Sequence, residues 1–343
     1  MGIVDIMQRS RTVLAIGAMA TVLGSATAGA QQPIKFALDW KFEGPAAPFV
    51  VAIDKGIYKS EGLDVTVDSG AGSLEPITRV ATGTYDMGFA DINSLIKFRD
   101  ANPGTPIKAI YMVYNKPAFA IVGRKSRGVT GPKDLEGKKL GAPAPDGAFA
   151  QWKIFVEANK IYASKVTIEN VGFPVREPML AAGQVDAITG FSFSSFINLK
   201  DRGVPVDDIT VMLMADYGVN LYGNAIIVNP KFAAEKPEAV KAYLRAFVKS
   251  MKETVQNPST AVDSVISRND VAKKPAELER LQMAIRDNML TDEVKANGYG
   301  AVDMARLEKS MDQIALTYTY KARPKATDIF DPSFLPPLAD RKP

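Results

Sequence analysis

The sequence of 343 residues contains no cysteine and no histidine. Such a chain has no thiol nucleophile, no Ser-His-Asp triad, no disulfide framework and no thiolate or imidazole ligand for a metal ion. These absences exclude most of the catalytic mechanisms that enzymes use. We therefore expect no catalytic site, no cofactor and no bound metal. The missing cysteine also leaves no residue for lipid attachment, and we expect a free rather than a tethered protein.

The chain also lacks an excess of charge of one sign. It carries 42 Lys and Arg against 38 Asp and Glu, a formal net charge of +4, and no basic block. This balance argues against a nucleic-acid partner. The 46% hydrophobic and 23% charged residues are ordinary for a soluble protein with sizeable cores, and the length corresponds to about two domains.

Residues 1–30 differ in kind from the rest. Two arginines precede an apolar run of small residues, 12–26, and the triplet AGA ends at Ala30 before Gln31. This pattern predicts a secretory signal peptide cleaved between Ala30 and Gln31. The alternative is an N-terminal membrane anchor, for which the run is short and too rich in Ala, Gly and Thr. No later stretch reaches the roughly 18 apolar residues of a membrane helix, so we expect the mature chain to be soluble outside the cytoplasm.

The stretch 36–67 combines a strand, polar and aromatic side chains, a helix and a second strand. A β-rich run, 36–38, is followed by a polar turn, and Gly44-Pro45 then reads as a helix start because proline is tolerated in a first turn. In an open α/β sheet, ligands are met where strand ends lead into helices. The candidate ligand contacts in this turn are Asp39, Trp40, Phe42 and Glu43.

The same strand-to-helix turn recurs along the chain, which predicts an α/β fold with mostly parallel sheets flanked by helices. The predicted strands after the first two are 87–90, 106–115, 119–122, 139–142, 166–173, 186–191, 210–214 and 225–228. Beyond Pro230 the pattern is helical, with predicted helices at 237–256, 259–267, 275–288 and 303–317. We therefore expect two lobes. Residues 31–117 and 225–343 together form the first lobe, and residues 118–224 form the second.

Further candidate site residues lie at predicted strand ends and helix starts. Ser73, Asp91, Asp146 and Ser194 either cap their helices or bring spare N–H groups to a ligand, and both roles are compatible. Gly72 would let the backbone approach a ligand closely. The lysine- and glutamate-rich segments 231–253 and 273–280 are interpreted as solvated helix faces.

Aromatic and acidic side chains complete the predicted site. Trp40 is placed to stack on a flat ligand. The carboxylates Asp39, Glu43 and Glu177 would accept hydrogen bonds from an amine, or else form ordinary salt bridges with Lys41 or Arg176. Aromatic residues that belong either to the pocket or to the core are Phe191, Phe193, Tyr217 and Tyr222.

Several ordered motifs resemble those of a known family. They are LDW at 38–40, AIDKGIYKSEGLDV at 52–65, GAGS at 70–73, RVATGTYDMGFAD at 79–91, DLEGKKLGAP at 134–143 and GQVDAITG at 183–190. They look like the periplasmic substrate-binding proteins of ABC importers, in the family that binds nitrate, sulfonates, taurine and pyrimidine precursors of thiamine. LDW resembles the thiamine-pyrimidine branch more than the sulfonate branch. That branch often continues with asparagine and histidine, where this chain has Lys41-Phe42-Glu43.

The resemblance implies a type II periplasmic binding protein, with a ligand cleft between two lobes. It implies a monomer in the periplasm that captures a small organic molecule, whether nitrogenous or aromatic, pyrimidine-like or sulfonate-like. The implied partners are an ABC permease and its ATPase in the inner membrane. One alternative is a pyrimidine-synthesising enzyme of the same fold, which in its eukaryotic branch uses pyridoxal phosphate and its own histidine. A ligand-sensing ectodomain that docks to a receptor is the other.

Overall fold

The computed structural model describes residues 30–343, so the predicted signal peptide, apart from Ala30, lies outside the described residues. Within this part the chain forms two five-stranded sheets flanked by helices. The strands are β1 (Gln32–Ala37), β2 (Leu63–Asp68), β3 (Met87–Asp91), β4 (Lys108–Met112), β5 (Phe119–Arg124), β6 (Lys139–Gly141), β7 (Thr167–Glu169), β8 (Ala187–Phe191), β9 (Ile209–Leu213) and β10 (Asn224–Val228).

Each sheet contains one strand that runs against the others. The first sheet has the order β2-β1-β3-β10-β4 and the second β7-β6-β8-β5-β9. Strand β10 is antiparallel to β3 and β4, and β5 is antiparallel to β8 and β9, whereas the other observed pairs are parallel. The predicted α/β class and predominantly parallel strand direction are therefore confirmed, although the sheets are mixed.

The reversed strands follow from the path of the chain between the sheets. The chain leaves β4 at its carboxyl end and enters the second sheet at the start of β5, beside the carboxyl end of β8, where Phe119 pairs with Phe191. It returns from β9 in the same way, and Asn224 at the start of β10 pairs with Asp91 at the end of β3. Both connections therefore lie at the edge where the parallel strands end, and the strands that follow them must run backwards.

The helices pack on both sheets and extend the chain beyond the last strand. Among residues 30–343, no helix combines the length and apolar character needed to cross a bilayer. The α-helices are α1 (Ala47–Asp54), α2 (Ile57–Ser60), α3 (Leu74–Ala81), α4 (Ile92–Ala101), α5 (Trp152–Asn159), α6 (Arg176–Ala181), α7 (Ser192–Asp201), α8 (Pro230–Glu235), α9 (Pro237–Gln256), α10 (Pro258–Ala261), α11 (Asp263–Ile266), α12 (Lys274–Ala284), α13 (Asp292–Asn297), α14 (Met304–Ala315), α15 (Ala326–Ile329) and α16 (Leu338–Arg341).

An aromatic core joins β1 and α1 to the long helix α9. The rings of Phe36 and Tyr243 stack with centroids 5.4 Å apart, and those of Phe49 and Phe247 lie 4.7 Å apart. All four side chains are fully buried. Aromatic pairs at these distances add about 1 kcal/mol each beyond the area they bury. This packing fixes β1, and with it the turn that follows the strand.

Three predicted elements differ from the structure. Of the predicted strand 166–173, only β7 forms a strand. Among the described residues, β7 is an edge strand paired with the short strand β6. Residues Phe173–Val175 form a 3-10 turn rather than continuing the strand. The predicted helix 259–267 is divided into α10 and α11 at Val262. The predicted helix 275–288 is α12, which continues as a π-helical turn over Ile285–Met289.

Candidate functional site

A pocket lies where the carboxyl ends of the two sheets face each other, and it encloses about 630 Å³ including its opening to solvent. The space open to the centre of a water-sized sphere is about 50 Å³, so the two sides of the pocket lie close together in this structure. Residues from both sheets contribute to its lining, so one bound molecule would touch both. The lining residues are Leu38, Asp39, Trp40, Lys41, Glu43, Pro45, Ala46, Phe49, Gly72, Ser73, Phe89, Tyr114, Asp146, Gly147, Phe173, Arg176, Phe191, Phe193 and Ser194.

Backbone hydrogen bonds fix the turn after β1. The amide of Gly72 donates to the carbonyl of Asp39 at 2.8 Å, and the amide of Gly70 donates to the carbonyl of Trp40 at 3.2 Å. Gly72 has a φ of +95°, and a Cβ atom there would lie 2.9 Å from the carbonyl oxygen of Pro145. Glycine is therefore required both by the left-handed backbone and by the close approach of the loop that follows β6.

Asp39 is a buried carboxyl at the floor of the turn. Its Oδ2 accepts a hydrogen bond of 2.5 Å from Nδ2 of Asn224. Burial raises the pKa of Asp39 to about 7, the hydrogen bond from Asn224 opposes this, and the negative charge of Asp91 adds to it. Near neutral pH this group is close to its titration point, so it is suited to exchanging a proton or a hydrogen bond with a ligand.

Trp40 offers the pocket both a ring face and a hydrogen-bond donor. Its ring meets that of Phe173 edge-on at 4.9 Å, and this contact joins the two sides of the pocket. The ammonium of Lys41 lies 5.7 Å from the Trp40 ring centroid. The indole Nε1–H is buried and has no acceptor among the described residues. A buried donor without a partner is costly, so a ligand that supplies an acceptor here gains from the contact.

Three further aromatic side chains form one wall of the pocket. Tyr114 stands edge-on to Phe191 at 6.4 Å and to Phe193 at 5.9 Å, and the two phenylalanines are 5.9 Å apart. Burial raises the pKa of the Tyr114 hydroxyl well above its ordinary value, so this group stays protonated. This wall thus presents an uncharged, largely apolar surface, which suits a ligand that itself carries few charges.

A buried ion cluster contributes two further lining residues, Arg176 and Asp146. Arg176 donates from Nε and Nη2 to Oε1 of Glu177 at 2.9 and 2.7 Å, and its Nη1 lies 3.8 Å from Oδ2 of Asp146. Thr189 donates to the same Asp146 oxygen at 2.8 Å. Burial raises the pKa of Asp146, and Arg176 and Thr189 only partly oppose this. The arginine is already engaged by carboxylates, as expected for a buried cation.

Glu43 joins the two sides of the pocket through a hydrogen bond. Ser194 at the start of α7 donates to Oε2 of Glu43 at 2.6 Å. Arg280 on α12 lies behind the same carboxylate, with its Nε 3.4 Å from Oε2. The expectation that 273–280 is a solvated face is therefore wrong for Glu277 and Arg280, which are buried as an ion pair.

The structure brings many of the predicted site residues together around the pocket and leaves others outside its lining. Those in the lining are Asp39, Trp40, Glu43, Gly72, Ser73, Asp146, Phe191 and Phe193. Those outside are Phe42, Asp91, Glu177, Tyr217 and Tyr222.

Each of these outer residues has another contact that occupies it. Phe42 packs on core residues near α1, and Tyr217 packs against Phe155. Asp91 accepts from the amides of Asn93 and Ser94 and caps α4. Glu177 is held by Arg176 and accepts from Ser195 at 2.9 Å. Tyr222 donates to Glu293 at 2.5 Å, and its ring lies 3.9 Å from the guanidinium of Arg306.

Two of the predicted helix starts differ from the prediction. Ser73 precedes α3, but its side chain makes no capping hydrogen bond and instead lies in the pocket lining. Helix α7 begins at Ser192, so Ser194 belongs to its first turn and does not cap it. Asp91 caps α4 as predicted, and Asp146 accepts from the amide of Ala148 at 3.1 Å.

Sequence reasoning left several lining residues out of the predicted site. Phe49 and Phe89 lie in apolar runs that read as core, and Tyr114 lies within the predicted strand 106–115. Phe173 is the last residue of the predicted strand 166–173. For Arg176 a signal existed, because a cation beside Glu177 was recognised as a potential salt-bridge partner. The described residues contain no group of three or more carboxylates placed to hold a metal ion.

Comparisons of the sequence identify one family and several relatives. A family model described as NMT1/THI5 like matches residues 45–261, more than half of the chain. The riboflavin-binding protein RibY of Chloroflexus aurantiacus is 27% identical over 219 residues, which cover 63% of this chain and 61% of that protein. The matched segment thus spans less than two thirds of RibY. A formylaminopyrimidine-binding protein of Halalkalibacterium halodurans is 26% identical over 252 residues, covering 72% of this chain and 73% of the relative.

Other similar proteins include an enzyme and solved structures. A 4-amino-5-hydroxymethyl-2-methylpyrimidine phosphate synthase of Aspergillus parasiticus is 25% identical over 285 residues, covering 78% of this chain and 81% of the synthase. The aliphatic sulphonate-binding protein SsuA of Escherichia coli matches with a TM-score of 0.71 at 12% identity, over 89% of this chain and 94% of that one. The nitrate-binding protein NrtA of Synechocystis matches with a TM-score of 0.66 at 12% identity, over 89% and 87%. The fold is that of the periplasmic binding proteins.

Proposed function

This chain belongs to the NMT1/THI5-like family, and from that premise we propose that it is the solute-binding protein of an ABC importer. The observation that carries the proposal is the pocket of about 630 Å³ whose lining comes from both sheets. A molecule held there is contacted from two sides. Ligand binding would therefore favour the closed arrangement of the two sheets over an open one.

The proposed ligand is small, largely planar and rich in nitrogen. Aromatic side chains supply most of the apolar lining, and Trp40 adds a buried N–H that has no acceptor among the described residues. Asp39, Glu43 and Asp146 offer carboxylate oxygens to ligand N–H groups. Of the two cations in the lining, Arg176 is bound to Glu177, and Lys41 lies near the face of the Trp40 ring. Three carboxyls beside these two cations favour a pyrimidine-like or other heterocyclic compound, whose N–H groups they can bind, over a simple sulfonate, which has no N–H group to offer them.

In this proposal the chain has two lobes, with residues 31–117 and 225–343 forming one and 118–224 the other. The mature chain works in the periplasm after removal of residues 1–30. Its closed form is recognised by a membrane permease, which an ATPase drives. The relatives named for riboflavin and formylaminopyrimidine binding, and the structural likeness to SsuA and NrtA, support this role.

Ligand screening by thermal unfolding tests the proposed function. The purified mature chain is unfolded in the presence of riboflavin, a formylaminopyrimidine, other pyrimidines and small sulfonates. A ligand at 100 times its Kd should stabilise the protein by about 2.7 kcal/mol and raise the melting temperature by several degrees. Mass spectrometry of the denatured protein would identify any compound retained through purification. The proposal fails if no compound of the panel raises the melting temperature and none is retained.

The relatives named as pyrimidine phosphate synthases support a second candidate, an enzyme of the same fold. The chain contains no histidine, so a reaction that depends on an imidazole has no residue to serve it here. We expect the purified protein to carry no pyridoxal phosphate. A protein that carries pyridoxal phosphate and forms a new pyrimidine on incubation would favour the enzyme instead.

A further inference from the structure

We infer that Arg280 on α12 is a positioning residue, which holds Glu43 in place as an anionic acceptor for an N–H group of the ligand. This inference rests on the proposed function, because it assigns a role in the same pocket. Arg280 lies outside residues 45–261, the segment matched by the family model.

The contacts of Glu43 set its orientation from two directions. Ser194 donates to Oε2 at 2.6 Å from the second-sheet side, and Nε of Arg280 lies 3.4 Å from the same oxygen. The second oxygen, Oε1, accepts no hydrogen bond among the described residues. Glu43 lines the pocket and is 9% exposed, so this free acceptor is open to a molecule in the pocket.

Arg280 is itself fixed by two further partners. It is paired with Glu277 one turn earlier on α12, and its Nη2 donates to Oδ1 of Asn198 on α7 at 2.8 Å. Glu277 in turn accepts from the amide of Gly44 at 2.6 Å. A side chain on Gly44 would overlap the backbone oxygen of Glu277, so the close packing of α12 on this turn requires glycine.

The charge at this position is stable. Burial lowers the pKa of Arg280, but the charges of Glu43 and Glu277 more than offset it, and the pKa is raised overall. Arg280 is only 3% exposed, and its Nε–H has no hydrogen-bond partner within the described residues. A fixed cation with a spare donor beside Glu43 holds the carboxylate in position by charge attraction as well as by packing.

A double-mutant cycle on ligand affinity tests this role. The probe is whichever of riboflavin and a formylaminopyrimidine binds the wild type, and Kd is measured by calorimetry for E43Q, R280M and the double variant. We expect each single variant to bind at least tenfold more weakly. The Kd of the double variant should lie within about twofold of the Kd of E43Q, because Arg280 acts through Glu43. Lysine in R280K should restore part of the affinity lost in R280M.

A matched control separates positioning from packing. E279Q breaks the ion pair between Glu279 and Lys200, which also joins α12 to α7, without touching Glu43. Its affinity should stay within twofold of the wild type. If R280M does not fold, R280Q keeps a donor toward Asn198 and takes its place in the cycle. The inference is overturned if the arginine variants bind the probe as tightly as the wild type does. It is also overturned if the arginine substitution raises Kd by the same factor in E43Q as in the wild type. If the wild type binds neither probe nor any panel compound, it falls with the proposed function.

Discussion

At the level of single residues, the pocket combines ring surfaces with one carboxyl, that of Asp39, whose pKa burial raises toward neutral pH. Trp40 lines the pocket, and its ring contact with Phe173 joins both sides. Asp39 lies beneath it with a pKa of about 7. The first residue determines how tightly a flat molecule is held, and the second makes the site sensitive to pH.

Replacing Trp40 by alanine should weaken ligand binding at least tenfold. Burying an aromatic side chain against a ligand is worth about 1.5 to 3 kcal/mol, and about 1.4 kcal/mol corresponds to a factor of ten in Kd. W40F, which keeps a ring but loses the indole N–H, should fall between W40A and the wild type. Calorimetry with the compound found by screening measures all three proteins. Equal affinities would show that Trp40 does not touch the ligand.

Replacing Asp39 by asparagine should change how stability depends on pH. Because the folded-state pKa of Asp39 is raised to about 7, the folded protein binds this proton more tightly than the unfolded chain does. Its contribution to the free energy of unfolding is thus full at low pH and is lost as pH rises through 7. Relative to the wild type, ligand-free D39N should gain about 2 kcal/mol between pH 5 and pH 8.

Denaturant unfolding at both pH values measures this difference. D64N is the control, since Asp64 is an exposed aspartate on β2. It should give nearly the same stability difference from the wild type at pH 5 and at pH 8. A constant difference for D39N would mean that Asp39 titrates as an ordinary exposed carboxyl.

At the level of elements, the turns at strand ends make the contacts between the two sides of the pocket. The turn after β2 brings Gly72 against the carbonyl of Pro145. Helix α7 brings Ser194 to Glu43, and α12 meets α7 through Arg280 and Asn198. These contacts would have to separate for the pocket to open.

Alanine at Gly72 should weaken ligand binding by more than its effect on stability explains. The new Cβ would lie 2.9 Å from the Pro145 oxygen, so it opposes closure as well as straining a backbone with a φ of +95°. Gly83 provides a matched control, because its φ of +74° carries similar strain while its nearest neighbour is 3.8 Å away. Both variants should lose about 1 to 2 kcal/mol of stability, but only G72A should lose tenfold or more in affinity. Equal losses of affinity would contradict the contact's role in closure.

The sequence predicts the elements that follow local rules. Asp91 before an apolar run predicts the start of α4, and the apolar periodicity of 237–256 predicts α9 with the same bounds as the structure. The turn after β1 was predicted to meet ligands, and three of its four candidates line the pocket: Asp39, Trp40 and Glu43.

The remainder of the site depends on contacts between residues distant in sequence. Glu277 and Arg280 neutralise each other when buried, yet along the chain they look like any solvated helix face. Their burial comes from packing on Gly44 and α7, which no local pattern shows. Phe173 likewise reaches the pocket because β7 ends early, and its hydrophobicity alone cannot distinguish a pocket wall from a strand interior.

At the level of the whole molecule, two sheets are connected by the segments between β4 and β5 and between β9 and β10. Both segments lie at the same edge as the pocket, and Lys116 in the first contacts Asp216 near the second at 2.5 Å. We propose that these segments form a hinge, so that ligand binding converts an open form to the closed arrangement described above.

The absence of cysteine allows this closure to be measured with two introduced labels. Leu74 and Val175 are 48% and 46% exposed, so both positions can carry a label. They lie close in sequence to Gly72 and Phe173, which approach each other across the pocket. The most direct measurement is the distance between spin labels on L74C and V175C, by pulsed electron paramagnetic resonance, as ligand is added. We predict a broad, longer distribution without ligand and a single shorter distance that is complete at one equivalent. A distribution that stays unchanged while one equivalent binds would contradict the account.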